Sequence, residues 1–209
     1  MKIVIFDMDG TLIDSKKDIT ISINTIRNAH YGLEPLGEDF IVDAINRDMR
    51  NLPKLFYGTE VYEKKDQLAF EEHYKHQCTQ NPYLYDGILE MLKSLQENGV
   101  KLGVATNAPT PFAKLMLKSL GVADMFGLIV GADEVKSSKP NPEMLLKILD
   151  FFNYSAQTDS AWMIGDNSKD MQSAINAEIE GAFALWGFSP QSDFPVQLQH
   201  PKEILTTVL

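Results

Sequence analysis

Lys2-Ile3-Val4-Ile5-Phe6-Asp7-Met8-Asp9-Gly10-Thr11-Leu12-Ile13-Asp14-Ser15 is the stretch from which the fold is read. Ile3 to Phe6 are apolar, β-rich and too few for a helix, which predicts a strand buried on both faces. The strand stops at two carboxylates, Asp7 and Asp9, with Gly10 behind them to let the backbone turn. A period of two points Asp7 and Asp9 to the same side if the extended conformation persists. Like charges this close call for a cation, a proton or water between them, and a hard cation such as Mg²⁺ prefers carboxylate oxygen. The same residues also suit a plain acidic turn after an edge strand, and the dipeptide alone does not choose.

The rest of the chain chooses. From Asp18 to about Gln80 the pattern is helical, with Ile19, Ile23 and Ile26 on one face and Phe40, Ala44 and Ile45 on another. Breaks are expected at Gly32 to Gly37, around Leu52-Pro53 and at Tyr57-Gly58, giving three or four helices. Asn81 to Gly87 is turn-rich and reads as a return linker. Beyond Gly87, helices near 88–98, 111–120, 142–152 and 169–177 alternate with strands near 101–106, 128–130, 160–164 and 181–186, and Pro201 can open a last short helix. Such alternation predicts an α/β fold: a Rossmann-like parallel sheet with helices on both faces, and an inserted α-helical domain. The expected division is a core of residues 1–15 and 82–209 and a helical domain of 16–81.

The composition sets outer limits. The 209 residues carry a net charge of −10, which speaks against a nucleic-acid partner and requires any phosphate-binding site to carry its own positive charge or metal. Cys78 is the one cysteine, so no intrachain disulfide can form. The short N-terminal apolar run is too small for a signal peptide, and no run approaches a membrane span of about 20 residues. A cytoplasmic protein, with no membrane partner, is expected.

Ligands of parallel sheets bind at the C-terminal ends of the strands. Asp7 and Asp9 stand there after the first strand, and Thr106 and Asn107 after the second. Gly131, Asp133 and then Lys139-Pro140 follow the third, and Gly165-Asp166-Asn167-Ser168-Lys169-Asp170 the fourth. Together these suit phosphoryl transfer, which needs an in-line nucleophile, charge neutralisation and a proton for the leaving group. Asp7 is the candidate nucleophile and Asp9 the candidate general acid and base. Thr106 offers a hydroxyl and Asn107 an amide to phosphate, and Lys139 a positive charge. Asp166 and Asp170, with Asp7, would form an acidic pocket for Mg²⁺.

At this point the sequence resembles the haloacid dehalogenase superfamily, on its phosphatase side, and within it the phosphoglycolate-phosphatase-like group with a helical cap. Asp7-Met8-Asp9-Gly10-Thr11-Leu12 matches that family's first motif, Thr106-Asn107 the second, Lys139-Pro140 the third and Gly165 to Asp170 the fourth. The resemblance implies a nucleophilic Asp7, an acid/base Asp9, phosphate contacts from Thr106 and Lys139, and Mg²⁺ held by Asp7, the carbonyl of Asp9 and Asp166, with Asp170 as a ligand or a support. It implies a small phosphorylated metabolite as substrate; a monomer or homodimer is expected. Dehalogenases of this superfamily lack the second aspartate, so Asp9 points away from that activity. A sugar phosphomutase on the same core and a non-catalytic phosphate-binding or regulatory module are the alternatives.

Departures from the group fall mainly in the helical insertion. Asn46 and Asp48 stand where a substrate loop usually has glycines, and Glu178 where a helix-ending glycine is common. Arg47, Arg50 and Lys54 either reach the substrate's far end, Arg50 for a carboxylate, or simply line a solvated face. His73 and His76 have no evident third metal ligand. Cys78, Trp162 and Trp186 read as packing residues.

Overall fold

The computed structural model describes residues 1–47 and 50–209. Asp48, one of the two positions read as replacing a loop glycine, lies outside the described residues. The chain divides into two compact units, 1–14 with 84–209, and 15–83.

The larger unit is built on β1 (Lys2–Phe6). Ile3, Val4, Ile5 and Phe6 are fully buried, as expected for a strand covered on both faces. It pairs in parallel with β4 (Lys101–Ala105) on one side and β6 (Ser160–Gly165) on the other. With β5 (Leu128–Val130), β7 (Glu180–Ala184) and β8 (Gln197–Leu198) the sheet order is β5-β4-β1-β6-β7-β8. Every ladder in it is parallel. The connections leave β1 toward β4 and leave β6 toward β7, so the strand order reverses between β1 and β6. That reversal opens a crevice at their C-terminal ends, where ligands of such sheets bind.

Helices α5 (Ile88–Glu97), α6 (Thr110–Ser119), α7 (Glu143–Phe151), α8 (Ser168–Asn176) and α9 (Glu203–Val208) complete the unit. Ile3 and Ile5 share one core with Met144, Leu145, Ile148 and Leu149 of α7. Strands β2 (Ile13–Asp14) and β3 (Tyr83–Leu84) form a separate two-residue ladder. Like β8, they are too short for a period-two pattern to reveal them. Glu178 has φ 57, the left-handed conformation that a glycine there would adopt without cost.

The smaller unit contains α1 (Lys16–Tyr31), α2 (Glu38–Asn46), α3 (Leu52–Tyr57) and α4 (Lys64–Gln77). The break expected around Leu52-Pro53 falls at the start of α3: Asn51 accepts from the Lys54 N–H, and Pro53 occupies the first turn, where its missing donor costs nothing. Ile23, Ile26, Ile41, Ala44, Phe56 and Tyr57 form its core. Three buried charged groups pin it. Arg27 donates to the carbonyls of Glu34 and Phe56. Asp18 accepts from Gln77 Nε2 at 2.7 Å and from Asn81 N at 2.9 Å. Asp66 lies 2.6 Å from His30 Nδ1 and accepts from Tyr31 Oη at 2.5 Å. No helix among the described residues is long and apolar enough to cross a membrane.

Candidate active site

Asp7 follows β1 directly and extends its ladder, its N–H donating to Ile164 O at 2.8 Å. The backbone then closes a tight loop, with Met8 O accepting from Leu12 N at 2.9 Å and Ile13 N at 3.0 Å. Gly10 has φ 86, and a Cβ there would overlap the Asp166 carboxylate. This one position therefore needs glycine twice, for its conformation and for its space. Asp9 sits partly buried in the same loop.

Lys139 arrives from the loop after β5, at a cis Lys139–Pro140 peptide. Its side chain is only 2% exposed, and its ammonium meets Asp7 Oδ1 at 2.6 Å, Asp170 Oδ1 at 2.6 Å and Ala105 O at 2.7 Å. Burial alone would lower this ammonium's pKa, but Asp170 and Asp7 outweigh it and push the pKa up. Lys139 is thus held charged with all three donors engaged.

Asn107 proves to be a neighbour of that lysine's backbone. Its Oδ1 accepts from Lys139 N at 3.0 Å and its Nδ2 donates to Lys139 O at 3.1 Å. The amide expected on substrate is therefore engaged in holding the Lys139 loop. Thr106, also buried, accepts from Ala108 N at 3.1 Å, which orients the hydroxyl and leaves its proton for an acceptor. Asp133 caps α6 instead, accepting from Thr110 N at 2.6 Å.

The loop after β6 supplies the other carboxylates. Asp166 Oδ1 accepts from Thr11 Oγ1 at 3.1 Å and Oδ2 from Phe188 N at 2.7 Å. Asp170 Oδ2 accepts from Asn167 N at 3.0 Å, while Asn167 caps α8 through Lys169 N. The helix-capping reading of this stretch and the site reading are both realised, because Asp170 spends one oxygen on each.

Asp7, Asp166 and Asp170 are all buried, and one oxygen from each lies within 4.8 Å of the others. The Asp9 carboxylate is not in this group. Burial first, then Asp7 and Asp170, push the Asp166 carboxyl well above the usual range. Burial raises Asp170 to about 6 against the pull of Lys139, with Asp7 adding to the rise. Three carboxylates face one ammonium, an excess of negative charge that a hard divalent cation offsets, and all three offer the oxygen ligands Mg²⁺ prefers. The donor set fits the ion.

The helical unit holds the remaining candidates. Arg47 pairs with Asp43, and Lys54 with Glu60 at 2.8 Å. Arg50 is exposed and donates to Arg47 O at 3.2 Å. His73 Nδ1 lies 2.9 Å from Ser22 Oγ, and with His76 it lines a groove of about 620 Å³ that also includes His30. Among the described residues, only Asp7, Asp166 and Asp170 form a metal-competent cluster.

Trp186, read as core, has a polar partner instead: its Nε1 donates to Thr11 O at 2.9 Å. A Trp-Gly pair at a fifth strand's C-terminal end was the available signal.

A doubly wound parallel sheet with converging carboxylates and a buried lysine at the reversal of strand order defines a phosphohydrolase-type α/β core. The chain belongs to the haloacid dehalogenase-like hydrolase family, whose sequence profile matches residues 4–184. Within that family it stands with the phosphatases, as a phosphoric monoester hydrolase. It is 31% identical to the N-acetylmuramic acid 6-phosphate phosphatase of Pseudomonas aeruginosa, over 98% of this chain and 93% of that one. It is also 31% identical to the phosphoglycolate phosphatase of Aquifex aeolicus, over 90% and 86%. Its fold matches a haloacid dehalogenase-like family hydrolase from Streptococcus pneumoniae, with a TM-score of 0.80 at 22% identity over 99% and 98%. It also matches a Thermotoga maritima protein provisionally assigned as a beta-phosphoglucomutase, with a TM-score of 0.75 at 26% identity over the whole of both chains.

Proposed function

We propose that this enzyme is an Mg²⁺-dependent phosphatase that hydrolyses a small phosphomonoester of an acid through an aspartyl-phosphate on Asp7. The observation that carries the reading is the buried Asp7–Lys139–Asp170 contact beside Asp166, at the reversal of strand order.

Asp7 attacks phosphorus, the ester P–O bond breaks, and Asp9 gives its proton to the leaving alkoxide. Water then attacks the phosphoaspartate, Asp9 takes its proton, and Asp7 and inorganic phosphate are released. Thr106 donates its hydroxyl to a phosphate oxygen, and the Lys139 ammonium offsets the negative charge of Asp7 and the phosphate. Asn107 holds Lys139 in place and Asp170 orients its ammonium, rather than either touching substrate. Asp7, the Asp9 carbonyl and Asp166, with Asp170 alongside, would hold Mg²⁺, whose chemistry is charge neutralisation and a template for the phosphate. Residues 16–81 form the inserted helical cap domain and 1–15 with 82–209 the catalytic core, and Arg50 is the candidate for the substrate's carboxylate.

The curated relatives supply the acid: both names denote phosphate esters of acids, phosphoglycolate and N-acetylmuramic acid 6-phosphate. The net charge of −10 fits a metabolite rather than a nucleic acid as partner, and we place the enzyme in the cytoplasm as a monomer or homodimer.

The test is phosphate release, with Mg²⁺ and with EDTA, from 2-phosphoglycolate, N-acetylmuramic acid 6-phosphate, neutral sugar phosphates, nucleotides and pyrophosphate. Metal-dependent release favouring an acid ester supports the reading, and metal-independent release overturns it. The fold shared with the beta-phosphoglucomutase-like protein gives the second reading a footing. Isomerisation of a sugar phosphate without phosphate release would select that mutase, and tight binding with no turnover of any ester would select the regulatory module.

A further inference from the structure

We propose that Trp186-Gly187-Phe188, the turn leaving β7, is a positioning element for the metal-binding carboxylate of Asp166. The proposal rests on the reading of Asp166 as an Mg²⁺ ligand.

Three independent contacts converge on this turn. The Phe188 N–H donates to Asp166 Oδ2 at 2.7 Å. The Trp186 indole donates to Thr11 O at 2.9 Å, and the Thr11 hydroxyl in turn donates to Asp166 Oδ1 at 3.1 Å. Gly187 lies between them with no room for a side chain: a Cβ there would overlap both Gly10 O and the Asp166 Cβ. One turn therefore fixes one Asp166 oxygen directly and the other through Thr11. Both oxygens keep lone pairs for a cation, since each has two and the turn uses one. The turn also packs the Gly10 loop against Asp166, and so sets the distance between that carboxylate and Asp7. Groups that hydrogen-bond to a metal-ligating carboxylate fix its orientation, and losing one typically costs about 10–100-fold in metal affinity.

Trp186→Phe keeps an aromatic ring and removes the indole with its N–H donor. Gly187→Ala forces the Gly10 loop and Asp166 apart. Trp162→Phe, in β6, controls for loss of an indole. Each variant, with Asp166→Asn, is titrated with Mg²⁺ by calorimetry at 25 °C, and its melting temperature is measured in EDTA. The expected result is a Kd for Mg²⁺ raised about tenfold in Trp186→Phe and further in Gly187→Ala, with Trp162→Phe at the wild-type value. Wild-type Mg²⁺ affinity in both turn variants, while Asp166→Asn loses binding, overturns the positioning role and leaves the metal reading intact. Wild-type affinity in Asp166→Asn removes the metal reading and this proposal with it. If Gly187→Ala does not fold, Trp186→Phe decides alone. A fall in melting temperature with unchanged Kd would show a structural role only and refute the proposal.

Discussion

Replacing Lys139 with methionine removes a cation but keeps an unbranched stem of similar length. In the native protein that cation meets Asp7 and Asp170 at 2.6 Å each and Ala105 O at 2.7 Å, in a setting with almost no solvent access. The variant leaves Asp7, Asp166 and Asp170 buried together without the ammonium. Breaking a buried ion pair from one side costs about 3–5 kcal/mol, because the stranded charges stay desolvated. For a chain of this size each kcal/mol moves the melting temperature by about 2–4 °C, so a fall of about 6–20 °C is expected in EDTA. The loss should deepen with pH. Asp170 is raised to about 6 even with Lys139 beside it, and without Lys139 it rises further. The native variant then binds more protons than the unfolded chain near neutrality, so its stability falls as pH increases. Added Mg²⁺ should recover part of the loss, about 2.7 kcal/mol at a hundred times its Kd.

Tryptophan fluorescence is the suitable probe. Trp162 and Trp186 are the chain's two tryptophans, and both lie in the larger unit, so the signal follows the core alone. Melts in EDTA and in Mg²⁺, at pH 5.5 and 8, give the four numbers required. A melting temperature within about 2 °C of wild type at pH 8 in EDTA would refute the reasoning, since it would mean the three carboxylates are hydrated and need no internal cation.

Asp7→Asn should abolish phosphate release while the EDTA melting temperature stays the same or rises, because a buried like charge is removed; turnover near the wild-type rate would rule out the nucleophile. In wild type without metal, the raised Asp166 and Asp170 make the core more stable below their folded pKa values than above, so tryptophan-detected stability should fall as pH rises from about 4 through 6; a flat profile contradicts this. In the helical unit, burial raises the Asp66 pKa, but hydrogen bonds from His30 and Tyr31 outweigh it and hold the carboxylate below its usual range. That stability is present above about pH 4 and lost below it, so Asp66→Asn should cost about 1–3 kcal/mol at pH 7 and little at pH 3, read by tyrosine-region circular dichroism. An equal cost at both pH values would exclude the ionised carboxylate as the source.

Legibility in the sequence tracked how local each cause was. The strand Ile3 to Phe6 and its aspartates were legible because a fully buried strand writes its burial in consecutive residues. The βα alternation was legible for the same reason, with Gly99 and Gly121 marking helix ends at positive φ. Leu52-Pro53 marked a helix boundary but not which side of it the helix lay on, because a proline that ends a helix and one that begins it differ here in the Asn51 cap. The partner of Asn107 is the Lys139 backbone, 32 residues away, and the partner of Trp186 is Thr11, 175 residues away. Residue type says that such groups need partners and says nothing of which. Asp18 and Asp66 are buried acids in helical first turns, where a solvated aspartate is equally at home.

Charge ties these observations to function. The protein carries a net charge of −10, and its candidate site sets three buried carboxylates against one lysine. A phosphate dianion has no net electrostatic reason to enter such a pocket, because the single Lys139 charge offsets only part of the three carboxylates. On the proposed reading, phosphate binding is coupled to binding of a divalent cation, and by linkage the phosphate tightens the cation to the same degree. That coupling works only if Asp166 keeps its distance from Asp7 in the absence of either ligand. The hydrogen bonds from Thr11 and Phe188, and the missing side chains at Gly10 and Gly187, provide that constraint before any ligand arrives.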